Sequence, residues 1–263
     1  MDLMRQVWTV SGMLSNLVKG RYNISAAYDL ADSAIKALQG QYNEIYFEDH
    51  VAYDGAQFWK QTQVPDQQSL LHVFLHSWEA ARWDESIFDL DSGSHPLVAS
   101  YLSACGISPP AWLTPNALNS RTGQERVYSL IKKAMPHAAN AAFQLLFQDR
   151  EFLLLFADHV RQAMLKANAA KILGALYPVP RCKRYPRWLE KAIFLRDRGL
   201  CQSCGKDVSG LLNHMNMLHL DHLLPLKSGG TNDPTNFQLL CSACNLSKGG
   251  RRHAVKNINH SYW

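Results

Sequence analysis

The chain has 263 residues, 47% of them hydrophobic, enough for one large domain or two ordinary ones with a proper core, which excludes global disorder. Its net charge of +5 is unevenly spread: residues 181–263 carry 13 Lys+Arg against 5 Asp+Glu, whereas residues 1–180 carry 14 against 17. No apolar run is long enough to cross a bilayer, and the start, with Asp2 and Arg5 and no continuous apolar stretch, has no secretory pattern; the expectation is a soluble cytoplasmic protein whose polyanionic partner meets the basic C-terminal third.

Residues 1–177 read as a helical domain of no identifiable family, suited to recognition or docking. Ser25 can cap a stretch whose apolar residues Ala27, Leu30, Ala31, Ala34, Ile35 and Leu38 recur at helical spacing, with Gly40 just past the end. Pro65-Asp66 opens a second stretch, with Leu71, Phe74, Leu75 and Trp78 on one face. A third begins near Pro96 and stops by Gly106, where Pro109-Pro110 enforce a break. Thr122 to Leu176 is rich in Ala and Leu and reads as two or three long helices, interrupted or kinked at Pro136. No stretch alternates as a half-buried strand would, and no repeat is present.

Few residues in this part point to chemistry. His72 and His76 share a helix face, but Val73 stands where a zinc-protease helix has glutamate, so they read as surface or partner-facing histidines. Asp158-His159 sits in an Ala/Leu-rich helical stretch without a cysteine frame and carries no catalytic weight. Trp8, Trp59 and Trp83 are candidate partner anchors, although a helical core would bury the same rings. Cys105 reads as a small buried apolar residue.

Tyr177-Pro178-Val179-Pro180 marks the clearest boundary, since prolines end a helix and stiffen a linker. Residues 178–186 form a basic, proline-containing linker with interleaved aromatics, and residues 187–263 form the second domain. Pro186 to Arg198 reads as a short helix closed by Gly199.

Two cysteine pairs follow, Cys201/Cys204 and Cys241/Cys244, each with two residues between. Without a secretory signal, such pairs read as metal ligands before disulfides. Four thiolates make a closed tetrahedral shell for Zn²⁺, a structural ion with no position left for water. Between the knuckles, Met215 to Leu220 can be a strand that delivers Asp221-His222 at its end. Leu223 to Pro234 is a loop with Gly229-Gly230, Asn236 to Leu240 a second strand, and Cys244 onward a helix.

The stretch "LDHLLPLKSGGTNDPTNFQLLCSACNLSKGG", with the lead-in "FLRDRGLCQSCG", resembles the HNH endonuclease motif in its four-cysteine version. The Asp-His pair, Pro225, the two glycines, Asn236, both knuckles, Asn245 and Lys248 agree in order and spacing, over roughly residues 185–252. The third signature position, often His, is Asn245. The resemblance implies a small ββα-metal nuclease domain, which together with the helical reading of residues 1–177 gives a mainly α protein.

It further implies metal-dependent hydrolysis of phosphodiester bonds. His222 is the base that takes a proton from water, and the Asn236 carbonyl, side chain or backbone, is the acceptor that fixes its ring. Asp221 and Asn245 offer oxygen to Mg²⁺ or Mn²⁺. Lys227, Lys248, Arg251 and Arg252 are candidates for backbone phosphates. His219 either lines the groove or faces solvent, and His214 reads as a loop histidine.

DNA is the first substrate expected, with RNA the alternative on the same fold. A non-catalytic zinc module that binds nucleic acid is the third reading, disfavoured because a pure binder needs neither base nor metal ligand. By fold-level analogy the chain would serve bacterial or phage-related defence, or a nucleic-acid-guided assembly, with a protein partner on the helical domain and activity gated by that domain or partner.

Overall fold

The computed structural model describes residues 25–42, 46–168, 179–210, 218–253, 255 and 257. Trp8, Tyr177, Pro178, His214 and Met215, singled out above, lie outside them. The described residues fall into two compact units, one within Met1–Ile45 and His72–Leu146, the other within Tyr46–Leu71 and Phe147–Trp263.

The first unit is all helical among its described residues. Helix α1 (Ser25–Leu38) buries Ala27, Leu30, Ala31, Ala34 and Leu38 of the expected stripe, while Ile35 is half-buried. Helices α2 and α3, in the second unit, are Phe47–Val51 and Gly55–Gln63. Helix α4 (Leu70–Ser86) belongs to the first unit from His72 on, and is followed by α5 (His95–Ala104) and α6 (Arg121–Leu146). Helix α1 packs on α6, whose buried Ala134, Ala138, Ala139 and Ala142 let the two backbones approach closely. Pro136 leaves α6 a single helix. Pro136 and Lys132, one turn earlier, are both exposed, so the proline sits on the solvent side of the helix. Trp83 is buried and donates to the equally buried Glu79, which also accepts from Tyr101 and Arg82; it is a core residue, and Trp59 is half-buried.

The second unit combines α2 and α3 with α7 (Arg150–Asn168), α8 (Arg187–Arg196), strand β1 (Leu218–His222), strand β2 (Phe237–Cys241) and helix α9 (Ser242–Lys248). The unit thus draws in three helices that precede residue 177. The two strands pair antiparallel, setting Asp221 opposite Gln238 and His222 opposite Phe237. The expected strand, loop, strand, helix order is present, with three shifts: Asp221 and His222 lie within β1 rather than beyond it, β2 runs one residue later than expected, and α9 begins at Ser242 rather than Cys244. Cys241, with extended backbone, ends β2 and immediately precedes the helix.

The connecting loop is held on every side. Gly229 has φ +88°, and a side chain on Gly230 would strike the Leu224 carbonyl, so both glycines are required for this turn. Residues Thr231 to Cys241 are all buried. The loop docks on the end of α3 and the start of α4, through Asn232 N–H to Thr62 O at 2.9 Å and Leu70 N–H to Asp233 Oδ2 at 2.7 Å. Among the described residues, no helix is long and apolar enough to cross a membrane.

Candidate active site and metal centre

Knuckle residues Cys201 and Cys204 come from the turn after α8, Cys241 from the end of β2 and Cys244 from the first turn of α9. Their four sulphurs all lie within 4.8 Å of one another, and Cys204 Sγ to Cys241 Sγ is 3.8 Å. A regular tetrahedron with Zn–S of about 2.3 Å places its sulphurs about 3.8 Å apart, so the donor set fits one zinc ion. Cys105 is buried and free, and burial pushes its thiol up to about 12; Cys182 is half-buried and free. His72 and His76 are half-buried, with His72 stacked on Phe143 at 3.7 Å, and belong to no metal-binding cluster among the described residues.

Asp221, His222, Lys227 and Asn245 line a single cavity of about 640 Å³, together with Arg181. The two-stranded ribbon supplies the first two, the loop the third and α9 the fourth. Asp221 is fixed by its neighbours. Its Oδ2 accepts from Gln238 Nε2 at 3.0 Å and from Lys248 Nζ at 2.5 Å, while Gln238 in turn accepts from Arg150 at 2.5 Å. Asp221 Oδ1 and the Asn245 side-chain amide make no hydrogen bond among the described residues. Two hard oxygen donors facing one cavity fit a Mg²⁺ or Mn²⁺ ion.

His222 is buried, with its ring 4.5 Å from that of Phe237. Burial lowers its pKa to about 4, against the raising influence of Asn232 and Asp221, so the ring is neutral near pH 7. The expected orienting contact is corrected here. His222 Nε2 meets Asn232 Oδ1 at 3.1 Å, not Asn236. Asn236 is buried and braces the loop: its Oδ1 accepts from Leu224 N–H, its Nδ2 donates to the Leu224 and Thr231 carbonyls, and its backbone carbonyl accepts from Leu223 N–H.

The four cations expected at phosphates separate. Lys227 is exposed at the cavity, its side chain lying across Gly250. Lys248 is buried, and its ammonium binds Asp221 and the His222 carbonyl, so it is committed inside the fold rather than offered to phosphate. Arg251 donates to the Ser247 and Lys248 carbonyls at the end of α9. Arg252 forms a bidentate pair with Asp158. His219 bonds Ser242 Oγ at 2.8 Å and does not line the cavity. Sequence reasoning missed Arg181 as a cavity residue, although its basic, aromatic-flanked run was the available signal. It also missed Asn232, which reads only as a turn residue beside Asp233 and Pro234.

Residues 201–251 match the family model described as HNH endonuclease. One curated relative is the type IV methyl-directed restriction enzyme EcoKMcrA of Escherichia coli (strain K12), 28% identical over 115 residues. The alignment covers 38% of this chain and 42% of that enzyme, so the chain spans less than half the length of the relative it matches. No solved structure matches the chain significantly.

Proposed function

Starting from an HNH endonuclease domain at residues 201–251, we propose that the chain is a metal-dependent endonuclease that hydrolyses phosphodiester bonds of DNA. The observation that carries this reading is the convergence of Asp221, His222 and Asn245 on one cavity beside a four-cysteine centre. His222, neutral and backed by Phe237, accepts a proton from the attacking water at its free ring nitrogen. Asp221 and Asn245 would hold the Mg²⁺ or Mn²⁺ ion, which would stabilise negative charge on the phosphate and the departing 3′ oxygen. Lys227 and Arg181, at the same cavity, neutralise backbone phosphates and contribute affinity rather than sequence choice. The products are a 5′ phosphate and a 3′ hydroxyl. Cys201, Cys204, Cys241 and Cys244 hold structural zinc.

The likeness to a restriction enzyme supports a defence role in the cytoplasm. The helical part before residue 177 then recognises the target or docks a partner protein that restrains cutting.

The test is cleavage by the purified chain of supercoiled plasmid, linear duplex, single-stranded DNA and structured RNA, each with Mg²⁺, Mn²⁺ or EDTA. Cutting of DNA that EDTA abolishes supports the proposal. Cutting confined to RNA moves the substrate class, and binding without cutting of any substrate leaves a zinc module that only binds nucleic acid.

A further inference from the structure

Asn232 has no exposed surface, and each polar group of its side chain is assigned a partner. Its Nδ2 lies 2.8 Å from the Gln63 carbonyl and 2.8 Å from the Pro180 carbonyl. Carbonyls only accept, so both amide protons are committed to them. This fixes which end of the amide is nitrogen, a choice that atomic positions alone leave open. The end facing His222 is therefore oxygen, and oxygen without a proton can only accept. The His222 nitrogen 3.1 Å away, Nε2, must carry the hydrogen. In a neutral imidazole the lone pair then sits on Nδ1.

Resting on the nuclease reading above, we propose that Asn232 is the positioning residue of His222: it sets the Nε2–H tautomer, leaves Nδ1 as the proton acceptor, and ties the base to the backbone at Gln63 and Pro180. The base is thereby set by two segments outside the matched motif, one 169 residues away in sequence and the other in the basic linker. Asn236, by contrast, spends its hydrogen bonds on the Leu223, Leu224 and Thr231 backbone and so holds the loop.

The experiment is long-range ¹H–¹⁵N correlation of the histidine side chains in the full chain, with His222→Gln assigning the signal, followed by kinetics of Asn232→Ala and Asn232→Asp. The expected wild-type spectrum shows a neutral ring protonated at Nε2, and Asn232→Ala gives a mixture of tautomers. Asn232→Asp, which keeps an acceptor oxygen, retains the Nε2–H form. The kinetic expectation for Asn232→Ala is a kcat about 10- to 100-fold lower with KM for nucleic acid little changed. A wild-type ring protonated at Nδ1 overturns the proposal even if no variant folds. A correct tautomer in a chain that cuts nothing leaves the positioning intact and counts against the nuclease reading alone.

Discussion

The Lys248 ammonium lies 2.5 Å from Asp221 Oδ2 and also binds the carbonyl of His222, so one buried cation touches both halves of the Asp-His pair. Burying an ammonium is costly unless it is paired and hydrogen-bonded, and these two partners supply that pairing. It neutralises a carboxylate that would otherwise face the cavity uncompensated, and it anchors the end of α9 to β1.

Replacing Lys248 by Met should cost roughly 3 kcal/mol, because Asp221 is left partly buried without its counter-charge. A divalent cation should restore part of that loss, since it can take over the neutralising role. Urea unfolding of Lys248→Met with and without Mn²⁺ checks this. Equal stability under both conditions would show that no cation reaches Asp221.

One zinc per chain is expected by elemental analysis. Cys201→Ser or Cys241→Ser should abolish it and unfold the ribbon, because metal ligation at such sites contributes about 10 kcal/mol. Cys105→Ser and Cys182→Ser should leave zinc content unchanged. Loss of zinc from either control would place the ion elsewhere.

Asn236→Ala removes an acceptor from Leu224 N–H and donors from two carbonyls, all buried. Stability should fall by about 2–4 kcal/mol, the cost of stranding such groups. Hydrogen exchange at the Leu224 amide should accelerate accordingly. An unchanged exchange rate would mean the loop is held by other contacts.

His72 gives the first unit a pH dependence. Burial, then the neighbouring His76, lowers its pKa to about 4 from the ordinary value near 6.5. The folded state therefore favours the neutral ring. The contribution is complete above pH 6.5 and is lost as pH falls toward 4, amounting to at most about 3 kcal/mol. His72→Phe keeps the stacking on Phe143 and should flatten the stability profile between pH 6.5 and 4. An unchanged slope would assign it to other groups.

A fragment of residues 178–263 should be much less stable than the whole chain. It lacks the Thr62, Gln63 and Leu70 groups that hold Asn232 and Asp233, and it lacks α7, which supplies Arg150 to Gln238. Thermal unfolding of the zinc-loaded fragment checks this; a melting temperature equal to that of the full chain would show that the motif folds alone.

The motif was legible because its chemistry is local. Cysteine spacing, the Asp-His pair, the glycine turn and the apolar strands all lie within a few dozen residues and have side-chain signatures. Helices α1 and α4 were legible from apolar periodicity, and the long α6 and α7 from their richness in Ala and Leu. The short helices α2 and α3 left no such pattern, and their place in the second unit rests on contacts made over more than a hundred residues. The partners of Asn232 are backbone carbonyls, which any residue carries, so no sequence feature marks them. Composition suggested a boundary near the prolines, while packing gathers helices from both sides of it. Lys248 read as a surface cation because lysine usually is one, and only the fold shows the carboxylate that takes it inside.

The central claim is that the Asp221–His222–Asn245 cavity hydrolyses phosphodiester bonds. The most direct measurement is the single-turnover cleavage rate of plasmid DNA with Mn²⁺ by the wild-type chain and by His222→Ala, at matched zinc content and matched thermal stability. The account predicts cutting by the wild type and a loss of at least about 100-fold in the variant. Cutting by both at the same rate would contradict it and place the chemistry elsewhere in the chain.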